Sequence, residues 1–596
     1  MKILYAASEA VPFCKTGGLA DVAGSLPPAL AEQGAETAVI LPLYRRVREK
    51  FADQLTFLCY DYVDLAWRHT YCGLFSMKKD GVTWYFLDNE QYFDRPELYG
   101  YVDDGERFGF FSRAVVKMLD HLEFWPDVIH CNDWQTALIP IYLKDDGVRE
   151  DRYRSIRTVL TIHNIEYQGR YDPYCLGDLF GLDRGWVDDG TLLLDGDLNL
   201  LKGAILTADA VNAVSPTYAQ ELKNPYFAHR MEGILTQCGY KLSGVLNGID
   251  MKLYDPAADG RITANYTAED LSGKAADKTA LQNLMGLNEE PNTPIIAMVS
   301  RLVSHKGLDL LREVMGDIME LPAQFVVLGS GDAGYEEFFR RTAERYPGRM
   351  AVRLGYNEAL SMAIYAGADL FLMPSRSEPC GLSQMISMRY GTVPIVRETG
   401  GLKDTVQPYE AWRDAGTGFT FANYSSADML HVIREAVYLY KDYPDAFARL
   451  RDRAMAQDFS WNRSAGDYLR IYGAVTGLSW EKSAPEAPAA EAAAPTEEPV
   501  IEVPAEEAVV SAAEPVSETA AKPAAKKTTT RKTAAKATTK KTAEKAVEKP
   551  TEKVAEKPAK EHVKKTAAKT TAPADTVETT QPVQPKKKGA AKKAAK

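Results

Sequence analysis

The sequence predicts an α/β protein with two Rossmann-like, doubly wound domains that face each other across a cleft, followed by a disordered tail. Three observations lead to this prediction. Two series of short apolar runs alternate with helix-like segments, each series contains a Thr-Gly-Gly-Leu-x-Asp motif, and the composition changes abruptly near residue 480. Strands that alternate with helices are typical of parallel sheets covered on both faces. The predicted domains span residues 1–248 and 249–478, and the tail spans residues 479–596.

The apolar runs predict the strands of both domains. Near-continuous apolar sequences are typical of parallel strands that are buried on both faces. The first series consists of KILYAAS, TAVILPL, TWYFLD, DVIHCND, TVLTIHN and AVNAVS. After residue 290 the pattern restarts with PIIAMVS, QFVVLGS, MAVRLG, DLFLMPS and VPIVRET. The turn signal Asn247-Gly248 and the nearby Pro256 separate the two series, so we place the domain boundary there.

The carboxyl-terminal segment has the composition of a disordered tail. Residues 481–596 contain no Phe, Tyr or Trp and are rich in Ala, Pro, Thr, Lys and Glu. Such a segment cannot bury enough apolar surface to offset the entropy lost on folding. Its charge is segregated, with a net −9 in residues 481–520 and a net +15 in residues 521–596. The basic part predicts weak, sequence-independent binding to polyanions, and a merely solvating appendage is the alternative.

Cysteine usage and hydropathy predict a cytoplasmic protein without a membrane segment. The seven cysteines form no C-x-x-C pair, and their odd number argues against a disulfide framework. Reduced thiols fit the cytoplasm. The amino terminus, MKILYAASEA, lacks the long apolar region of a signal peptide. No stretch approaches the roughly 20 apolar residues that a membrane helix requires.

The repeated motif predicts one anion-binding loop in each domain. The first copy contains Gly17 and Gly18 beside Lys15, and the second contains Gly400 and Gly401. Each copy follows a predicted strand and precedes a helix, which is where ligands bind in open α/β sheets. Glycines let a ligand approach the backbone, and the amino terminus of a helix offers free N–H groups and a positive dipole end. A tight strand–helix turn without a ligand is the alternative.

Charged residues at other strand ends suggest a site for a phosphorylated ligand. Arg301 and Lys306 lie five residues apart in VSRLVSHKGL, where both can converge on one phosphate group. Glu378, in MPSRSEPCGL, lies in a similar loop, and its proximity to these cations predicts a role in substrate binding. A solvated basic loop and a capping carboxylate are the alternatives. Cys380 has no His near it in the sequence, so no nucleophile is predicted there.

Polar residues also follow two strands of the first domain. His130 and Asp133 belong to HCNDW, and His163 belongs to TIHNIEYQG. Their spacing matches no H-x-x-x-H or C-x-x-C metal motif, so neither a metal site nor a cofactor is predicted. Polar contacts to a hydroxyl-rich ligand are the preferred interpretation.

Seven motifs taken together resemble a known family. In order they are K-T-G-G-L, H-x-N-D-W, T-I-H-N-x-x-Y-Q-G, N-G-I-D, S-R-L-x-x-x-K-G-L-D-L, E-P-C-G-L and T-G-G-L-x-D-T-V. Over roughly residues 1–478 the chain resembles bacterial glycogen synthase and its plant starch synthase relatives. The resemblance implies a glycosyltransferase fold of the GT-B type. It also implies transfer of glucose from ADP-glucose to the non-reducing end of an α-1,4-glucan (glycogen), with retention of configuration and no metal.

The same resemblance implies residue roles, motif by motif. Lys15, Arg301 and Lys306 look like the cations that hold the diphosphate and stabilise the leaving ADP. Glu378 looks like the carboxylate at the donor sugar, and Tyr356, in LGYNEAL, matches an aromatic residue that packs on adenine. The implied donor-loop residues and glucose contacts are Gly17, Gly18, Asp21, His163 and Asn247. The residues that we predict to be catalytic are Glu378, His163, Lys306 and Arg301.

Two positions depart from the pattern of related transferases on this fold. After HCNDW stands Gln135, where many relatives have His, so donor or acceptor contacts can differ there. Many of the related transferases carry E-x7-E, with the second Glu on the nucleotide ribose, whereas Ile386 stands eight residues after Glu378 here. The sequence therefore shows no residue whose contact with the nucleotide would decide between ADP-glucose and UDP-glucose as the donor. Two functional alternatives stay open: a nucleotide-sugar transferase that acts on a small acceptor, and a polyanion-binding scaffold that works through the basic tail.

Overall fold

The structure is a computed structural model and describes residues 1–148 and 150–479. In the first half of the chain the strands are β1 (Lys2–Ala6), β2 (Glu36–Pro42), β3 (Thr56–Leu65), β4 (Arg68–Lys79), β5 (Val82–Asp88), β6 (Val128–Asn132), β7 (Arg157–Ile162), β8 (Arg170–Tyr171), β9 (Leu193–Leu194), β10 (Asp197–Asn199), β11 (Ala210–Ala213) and β12 (Leu242–Gly244). In the second half they are β13 (Ile295–Val299), β14 (Gln324–Gly329), β15 (Met350–Leu354), β16 (Leu370–Met373), β17 (Val393–Arg397) and β18 (Phe419–Phe421).

Helices connect most of these strands. The helices of the first half are α1 (Gly18–Glu32), α2 (Arg45–Phe51), α3 (Glu90–Phe93), α4 (Asp104–Met118), α5 (Leu138–Gly147), α6 (Leu176–Phe180), α7 (Gly185–Asp188), α8 (Leu200–Thr207), α9 (Pro216–Glu221) and α10 (Glu232–Gln237). Those of the second half are α11 (Ser272–Met285), α12 (Leu308–Glu320), α13 (Ala333–Arg345), α14 (Glu358–Gly367), α15 (Ser383–Arg389), α16 (Gly400–Thr405), α17 (Ser426–Asp442), α18 (Pro444–Met455) and α19 (Trp461–Thr476).

The first sheet has nine strands in the order β12-β11-β7-β6-β1-β2-β5-β4-β3. Strand β1 is parallel to both β2 and β6, so the order reverses beside it. All six predicted strands of this half form, and most of their residues are buried. The hairpin of β3 and β4 was not predicted. It pairs antiparallel at the edge of the sheet, and residues of β3 alternate between exposed and covered, so the sequence lacks a continuous apolar run there.

The second sheet has six strands in the order β15-β14-β13-β16-β17-β18, and all of its pairs are parallel. The central strand β13 comes first in the chain, and the direction of winding reverses between β13 and β16. This order is that of a Rossmann-type sheet, which binds ligands at the point of reversal. The predicted fold class, with two doubly wound sheets, is confirmed. The short β18, Phe419–Phe421, was the one strand of this sheet that the apolar pattern missed.

The last described helix, α19, returns to the first sheet. The Tyr472 hydroxyl lies 2.7 Å from Nδ1 of His130, and Nδ2 of Asn212 donates to the Tyr468 hydroxyl at 2.9 Å. His130 is fully buried, and its Nε2 lies 2.7 Å from the Thr161 hydroxyl, so both ring nitrogens have partners inside the protein. The predicted contact of His130 with a hydroxyl-rich ligand is therefore wrong. The domain ranges 1–248 and 249–478 stay predictions. Helix α19 belongs to the second range in the sequence but packs on the first sheet.

No helix in residues 1–148 or 150–479 is long and apolar enough to cross a membrane. Of the predicted tail, the structure describes residue 479 alone. The prediction that the tail is disordered concerns residues outside the described part of the chain.

Candidate active site

A cavity of about 180 Å³ opens at the carboxyl ends of β13 and β16. These strands flank the point where the winding of the second sheet reverses, the usual position of a ligand site. The loops after the two strands supply its polar lining, namely Ser300, Arg301, Lys306, Ser375, Glu378 and Ser383. Three residues that the sequence predicted to be catalytic, Arg301, Lys306 and Glu378, thus share one cavity.

Lys306 and Glu378 form a buried ion pair. The Lys306 ammonium donates to Oε2 of Glu378 at 2.7 Å, and the Ser375 hydroxyl donates to the same oxygen at 2.8 Å. The two charged side chains are only 16% and 10% exposed. Burial by itself raises the pKa of the Glu378 carboxyl, but Lys306 and Ser375 outweigh burial and hold the pKa below its ordinary value. Glu378 is therefore a carboxylate at neutral pH.

A glycine fixes the loop that carries Lys306. Lys306 ends a 3-10 turn, Ser304–Lys306, and Gly307 follows with a φ of 74°. A Cβ atom on Gly307 would lie 2.0 Å from the carbonyl oxygen of Pro374. Only glycine permits both the left-handed backbone and this close approach. The contact brings the loops after β13 and β16 together and sets Lys306 within reach of Glu378.

His305 belongs to the same cluster of charges, although the sequence did not single it out. Burial lowers the pKa of its imidazole, and the cations Lys306 and Arg301 lower it further. Glu378 and Glu166 act in the opposite direction. Glu166 follows β7, so its effect places this loop of the first sheet within electrostatic range of the cavity.

The second Thr-Gly-Gly-Leu loop lies directly against the Glu378 loop. A Cβ atom on Gly400 would lie 2.0 Å from the carbonyl oxygen of Glu378, and one on Gly401 would lie 2.1 Å from that of Cys380. The two glycines therefore let the Glu378 loop approach the start of α16. Direct contact of Gly400 and Gly401 with substrate stays a prediction.

In both Gly-Gly loops, backbone and hydroxyl groups donate hydrogen bonds to a glutamate side chain of the protein. The Thr399 hydroxyl and the Gly400 N–H donate to Oε1 of Glu221 at 2.8 and 3.1 Å. In the first loop the Thr16 hydroxyl donates to Oε2 of Glu9 at 2.8 Å, and the Thr16 N–H donates to the same oxygen. An internal carboxylate thus accepts hydrogen bonds at each loop, and binding of a ligand anion by the two loops stays a prediction. The positive end of a helix attracts an internal carboxylate as readily as a bound anion.

The first loop faces the cavity of the second sheet. A Cβ atom on Gly18 would lie 4.0 Å from Cδ1 of Leu382, which lines that cavity. The Lys15 ammonium donates to Oδ1 of Asp21 at 2.7 Å. Burial raises the pKa of the Tyr356 hydroxyl, Lys15 lowers it and Asp21 raises it. The three predicted residues Lys15, Asp21 and Tyr356 therefore lie within electrostatic range of one another, with Tyr356 75% exposed.

His163 is held as a neutral ring with a defined tautomer. Burial lowers its pKa to about 3. Its Nε2 lies 2.9 Å from Oδ1 of Asn132, which also accepts a hydrogen bond from the Tyr5 hydroxyl at 2.8 Å. Because Oδ1 is an acceptor, Nε2 of His163 carries the proton. None of the described residues gives Nδ1 a hydrogen-bond partner, so this nitrogen is left as an acceptor for a hydroxyl group.

Asn247 brings a second acceptor to the loop that carries Glu378 and Cys380. The residue is 6% exposed, and its Oδ1 has no hydrogen-bond partner among the described residues. Its backbone N–H contacts Sγ of Cys380. A buried acceptor without a partner costs free energy unless a ligand satisfies it. Burial raises the pKa of the Cys380 thiol to about 12, so this thiol stays protonated at neutral pH.

Asp133 positions His163 rather than standing free. Its Oδ1 accepts the His163 N–H at 2.7 Å and the Asn164 N–H at 3.4 Å. Burial raises the pKa of its carboxyl to about 7, although these two donors lower it, and Glu9 raises it further. A direct contact between Asp133 and substrate stays a prediction.

The raised pKa of Asp133 predicts a pH-dependent stability. Its ordinary pKa is about 3.9, so between about pH 4 and pH 7 the folded state binds a proton more readily than the unfolded state. The contribution of Asp133 to stability is then fully present below about pH 4 and is lost as the pH rises through about 7. We expect the melting temperature of the wild type to fall relative to that of Asp133→Asn over this range. The exposed Asp53→Asn is the control, and a pH-independent difference for Asp133→Asn would contradict the assignment.

Besides His305, sequence reasoning missed three further contributors to the site. Ser375 lies three residues before Glu378, within a segment that the sequence had singled out, so the spacing was a usable signal. Glu9 and Glu221 lie 7 and 178 positions from the Thr hydroxyls that they accept from. No local pattern links Glu221 to its donor, since the pair forms only when the two sheets meet. No group of three His, Cys, Asp or Glu residues in the described part of the chain could hold a metal ion.

Two family models match the chain. The model of the starch synthase catalytic domain matches residues 2–237, and the model of glycosyl transferases group 1 matches residues 284–449. The glycogen synthase of Bacillus cereus (strain ATCC 10987 / NRS 248) is 47% identical over 472 residues, which is 79% of this chain and 99% of the relative. The glycogen synthase of Ligilactobacillus salivarius (strain UCC118) is 47% identical over 473 residues, again 79% and 99%.

Two solved structures of glycosyl-transfer enzymes are also similar to this chain. The catalytic domain of starch synthase IV from Arabidopsis thaliana, bound to ADP and acarbose, is 34% identical with a TM-score of 0.73 and covers 80% of this chain and 99% of its own. Sucrose-phosphate synthase from Thermosynechococcus elongatus is 18% identical with a TM-score of 0.51 and covers 80% and 100%. The second similarity shows the fold alone.

Proposed function

The chain belongs to the family of bacterial glycogen synthases and plant starch synthases, and from this membership we propose that it moves glucose from ADP-glucose to the non-reducing end of an α-1,4-glucan with retention of configuration. It is a glucosyltransferase of glycogen synthesis, and its family uses a nucleotide sugar and a glucan. The ADP bound to the Arabidopsis relative supports a nucleoside diphosphate as part of the donor. The finer identity of donor and acceptor is part of the proposal.

The proposal rests on one observation. Arg301, Lys306 and Glu378 line the same cavity, and the first Gly-Gly loop faces that cavity. Cleavage of a glycosyl phosphate develops negative charge on the departing diphosphate. Fixed cations aimed at that charge stabilise the transition state without reorganising. We assign the diphosphate to Arg301 and Lys306 from the second sheet and to Lys15 from the first loop. Gly17, Gly18 and Asp21 shape that loop around the donor.

Glu378 has a different role because it carries the opposite charge. Its carboxylate neutralises Lys306 in the absence of ligand, since the two atoms lie 2.7 Å apart. A bound diphosphate competes with Glu378 for the same ammonium group. Positive charge that develops on the donor sugar then has a carboxylate beside it. Glu378 therefore acts on the sugar, while Lys306 acts on the leaving group.

Two hydrogen-bond acceptors are available to the hydroxyls of the glucose ring. One is Nδ1 of His163, which carries no proton because the ring is neutral and its proton is on Nε2. The other is Oδ1 of Asn247, which is buried without a hydrogen-bond partner among the described residues. Both groups suit donation from a sugar hydroxyl. Asp133 holds the backbone of His163, and the exposed ring of Tyr356 offers a face on which adenine stacks.

Retention follows from attack on the face that the leaving group occupies. The acceptor hydroxyl bonds to the anomeric carbon as the bond from that carbon to the phosphate oxygen breaks. The departing phosphate oxygen takes the proton of the hydroxyl, so atoms and charge balance without a protein nucleophile. The buried, protonated thiol of Cys380 fits this course. The function needs no metal in this scheme.

Acceptor competition tests the proposal against a transferase that acts on a small acceptor. Radiolabelled ADP-glucose is supplied together with glycogen and with glucose or maltose at equal molar concentration of non-reducing ends. We expect label to enter glycogen in preference to the small sugars. Preferential labelling of the small sugars would favour the alternative.

Removal of the tail tests the scaffold alternative. A chain that ends at residue 479 lacks the segregated charges of residues 481–596 but keeps every residue assigned here to the site. We expect its kcat and its KM for ADP-glucose to match those of the full chain, measured as ADP release at saturating glycogen. Loss of transfer on truncation would show that the tail takes part in the reaction.

The cytoplasm is the compartment that we propose. All seven cysteines lie in the described residues and are free thiols. Reduced cysteines are usual in a reducing compartment.

A further inference from the structure

A second cavity, of about 570 Å³, lies at the opposite end of the second sheet from the candidate active site. Residues that precede β13, β16 and β17 line it, namely Asn292, Asp369 and Gly391. Helices α11, α17 and α18 supply most of the rest of the wall, and Gly367 at the end of α14 also contributes. Its volume falls within the range of sites for small organic ligands, roughly 300–1,000 Å³. The proposed glucosyl transfer makes no use of this cavity.

The lining of the cavity is strongly cationic. Four basic side chains, Lys274, Lys278, Lys441 and Arg451, face one carboxylate, that of Asp369. The single acid is already engaged, because Nζ of Lys278 lies 2.8 Å from Oδ2 of Asp369. The lining therefore keeps an excess of basic side chains over acidic ones.

The cations at the mouth differ from those at the floor. Lys441 is exposed, and its Nζ donates only to the carbonyl oxygen of Asn292, at 3.3 Å. Arg451 is partly exposed, and its guanidinium contacts Oδ1 of Asp452, a surface carboxylate, at 2.9 Å. Such exposed contacts contribute little free energy. Both basic groups can turn toward an anion that enters the cavity.

Lys274 lies at the floor of the cavity, and all three donors of its ammonium are engaged. They donate to the carbonyl oxygens of Ala366 and Tyr390, both at 2.8 Å, and to the Thr392 hydroxyl at 2.9 Å. Burial nevertheless lowers its pKa to about 7, and Arg451 and Lys278 lower it further, against Asp369 and the neighbouring Asp277. An anion in the cavity would therefore contact the mouth cations Lys441 and Arg451 and would favour the charged form of Lys274.

The geometry points to a binding site for a small organophosphate, and we propose that the cavity binds one in addition to the donor that the active site takes. Several cations around one point suit a doubly charged phosphate better than a single carboxylate. Tyr440 and Phe447 give the cavity an aromatic wall, which suits an organic body attached to the phosphate. Strands β13 and β16 start at this cavity and end at the active site, so they connect the two directly.

Calorimetric titration of the full chain with glycerol 3-phosphate tests the proposal, with glycerol as the uncharged control. The titration uses the double variant Lys306→Ala with Glu378→Gln, because it removes one cation of the active site without leaving the Glu378 carboxylate buried and unpaired. We expect one binding event for glycerol 3-phosphate and none for glycerol. Inorganic phosphate, as a second probe, is expected to bind more weakly, since it lacks the organic body.

A double variant of the mouth, Lys441→Ala with Arg451→Ala, locates the site. We expect it to weaken glycerol 3-phosphate binding roughly tenfold or more, as loss of charged hydrogen bonds does. The matched control is the double variant Lys252→Ala with Arg341→Ala, which removes two exposed cations elsewhere. Unchanged binding in the mouth variant would place the ligand on the active site or on the basic tail and would overturn the proposal. Absence of binding to the folded double variant Lys306→Ala with Glu378→Gln at millimolar ligand would overturn it as well.

Discussion

Glu378→Gln is expected to lower kcat by on the order of 10²–10³ while leaving the affinity for ADP unchanged or higher. The substitution keeps the size of the side chain and an acceptor for the Ser375 hydroxyl, but it removes the negative charge that lies 2.7 Å from Nζ of Lys306. A charge that acts on the sugar only as the transition state forms affects kcat and kcat/KM equally. Loss of the carboxylate also frees the Lys306 ammonium for the diphosphate.

Steady-state kinetics with varied ADP-glucose at saturating glycogen, together with calorimetric titration of ADP, would measure both effects. Glu337→Gln, an exposed glutamate on α13, is the matched control and is expected to leave both quantities unchanged. If Glu378→Gln raised only the KM for ADP-glucose and left kcat intact, Glu378 would be an ordinary binding residue.

Lys306→Ala is expected to produce the opposite signature, with weaker ADP binding as well as slower transfer. The ammonium holds the diphosphate in the ground state, so ADP affinity should fall by roughly 10- to 100-fold. The kcat should fall too, because the leaving group loses a fixed cation. Removal of Lys306 also leaves the buried carboxylate of Glu378 without its cation, which typically destabilises a protein by about 3–5 kcal/mol.

Melting temperature separates this structural cost from the loss of function, and Lys252→Ala, which removes an exposed lysine, is the control. The double variant Lys306→Ala with Glu378→Gln removes both charges and should recover stability without recovering activity. Unchanged ADP affinity in Lys306→Ala would contradict the assignment of this residue to the diphosphate.

The sequence predicted the parallel parts of the fold well, because strands such as β13 and β16 are apolar along their whole length and almost all of their residues are buried. It did not predict the β3–β4 hairpin, whose alternation of tyrosines with polar residues reflects an antiparallel edge. Nor did it predict that α19 packs on the first sheet. The buried contacts of Tyr468 and Tyr472 with Asn212 and His130 span several hundred residues, and only the folded chain brings them together.

For the site, sequence motifs were enough to identify Arg301, Lys306 and Glu378, because all three follow strands that are adjacent in the second sheet. They did not disclose that Glu221 satisfies the donors of the second Gly-Gly loop or that Glu9 does so in the first. The motif predicts a backbone that offers N–H groups. It does not predict which carboxylate accepts hydrogen bonds from them.

Glucose transfer to glycogen tests the account most directly. Purified full-length chain is incubated with glycogen and either ADP-[¹⁴C]glucose or UDP-[¹⁴C]glucose, and label in precipitated glycogen is counted before and after digestion with β-amylase, which cuts α-1,4-linked chains from their non-reducing ends. The account predicts that label enters glycogen from ADP-glucose in preference to UDP-glucose and that β-amylase releases it. Absence of transfer from any nucleotide-glucose would contradict the account.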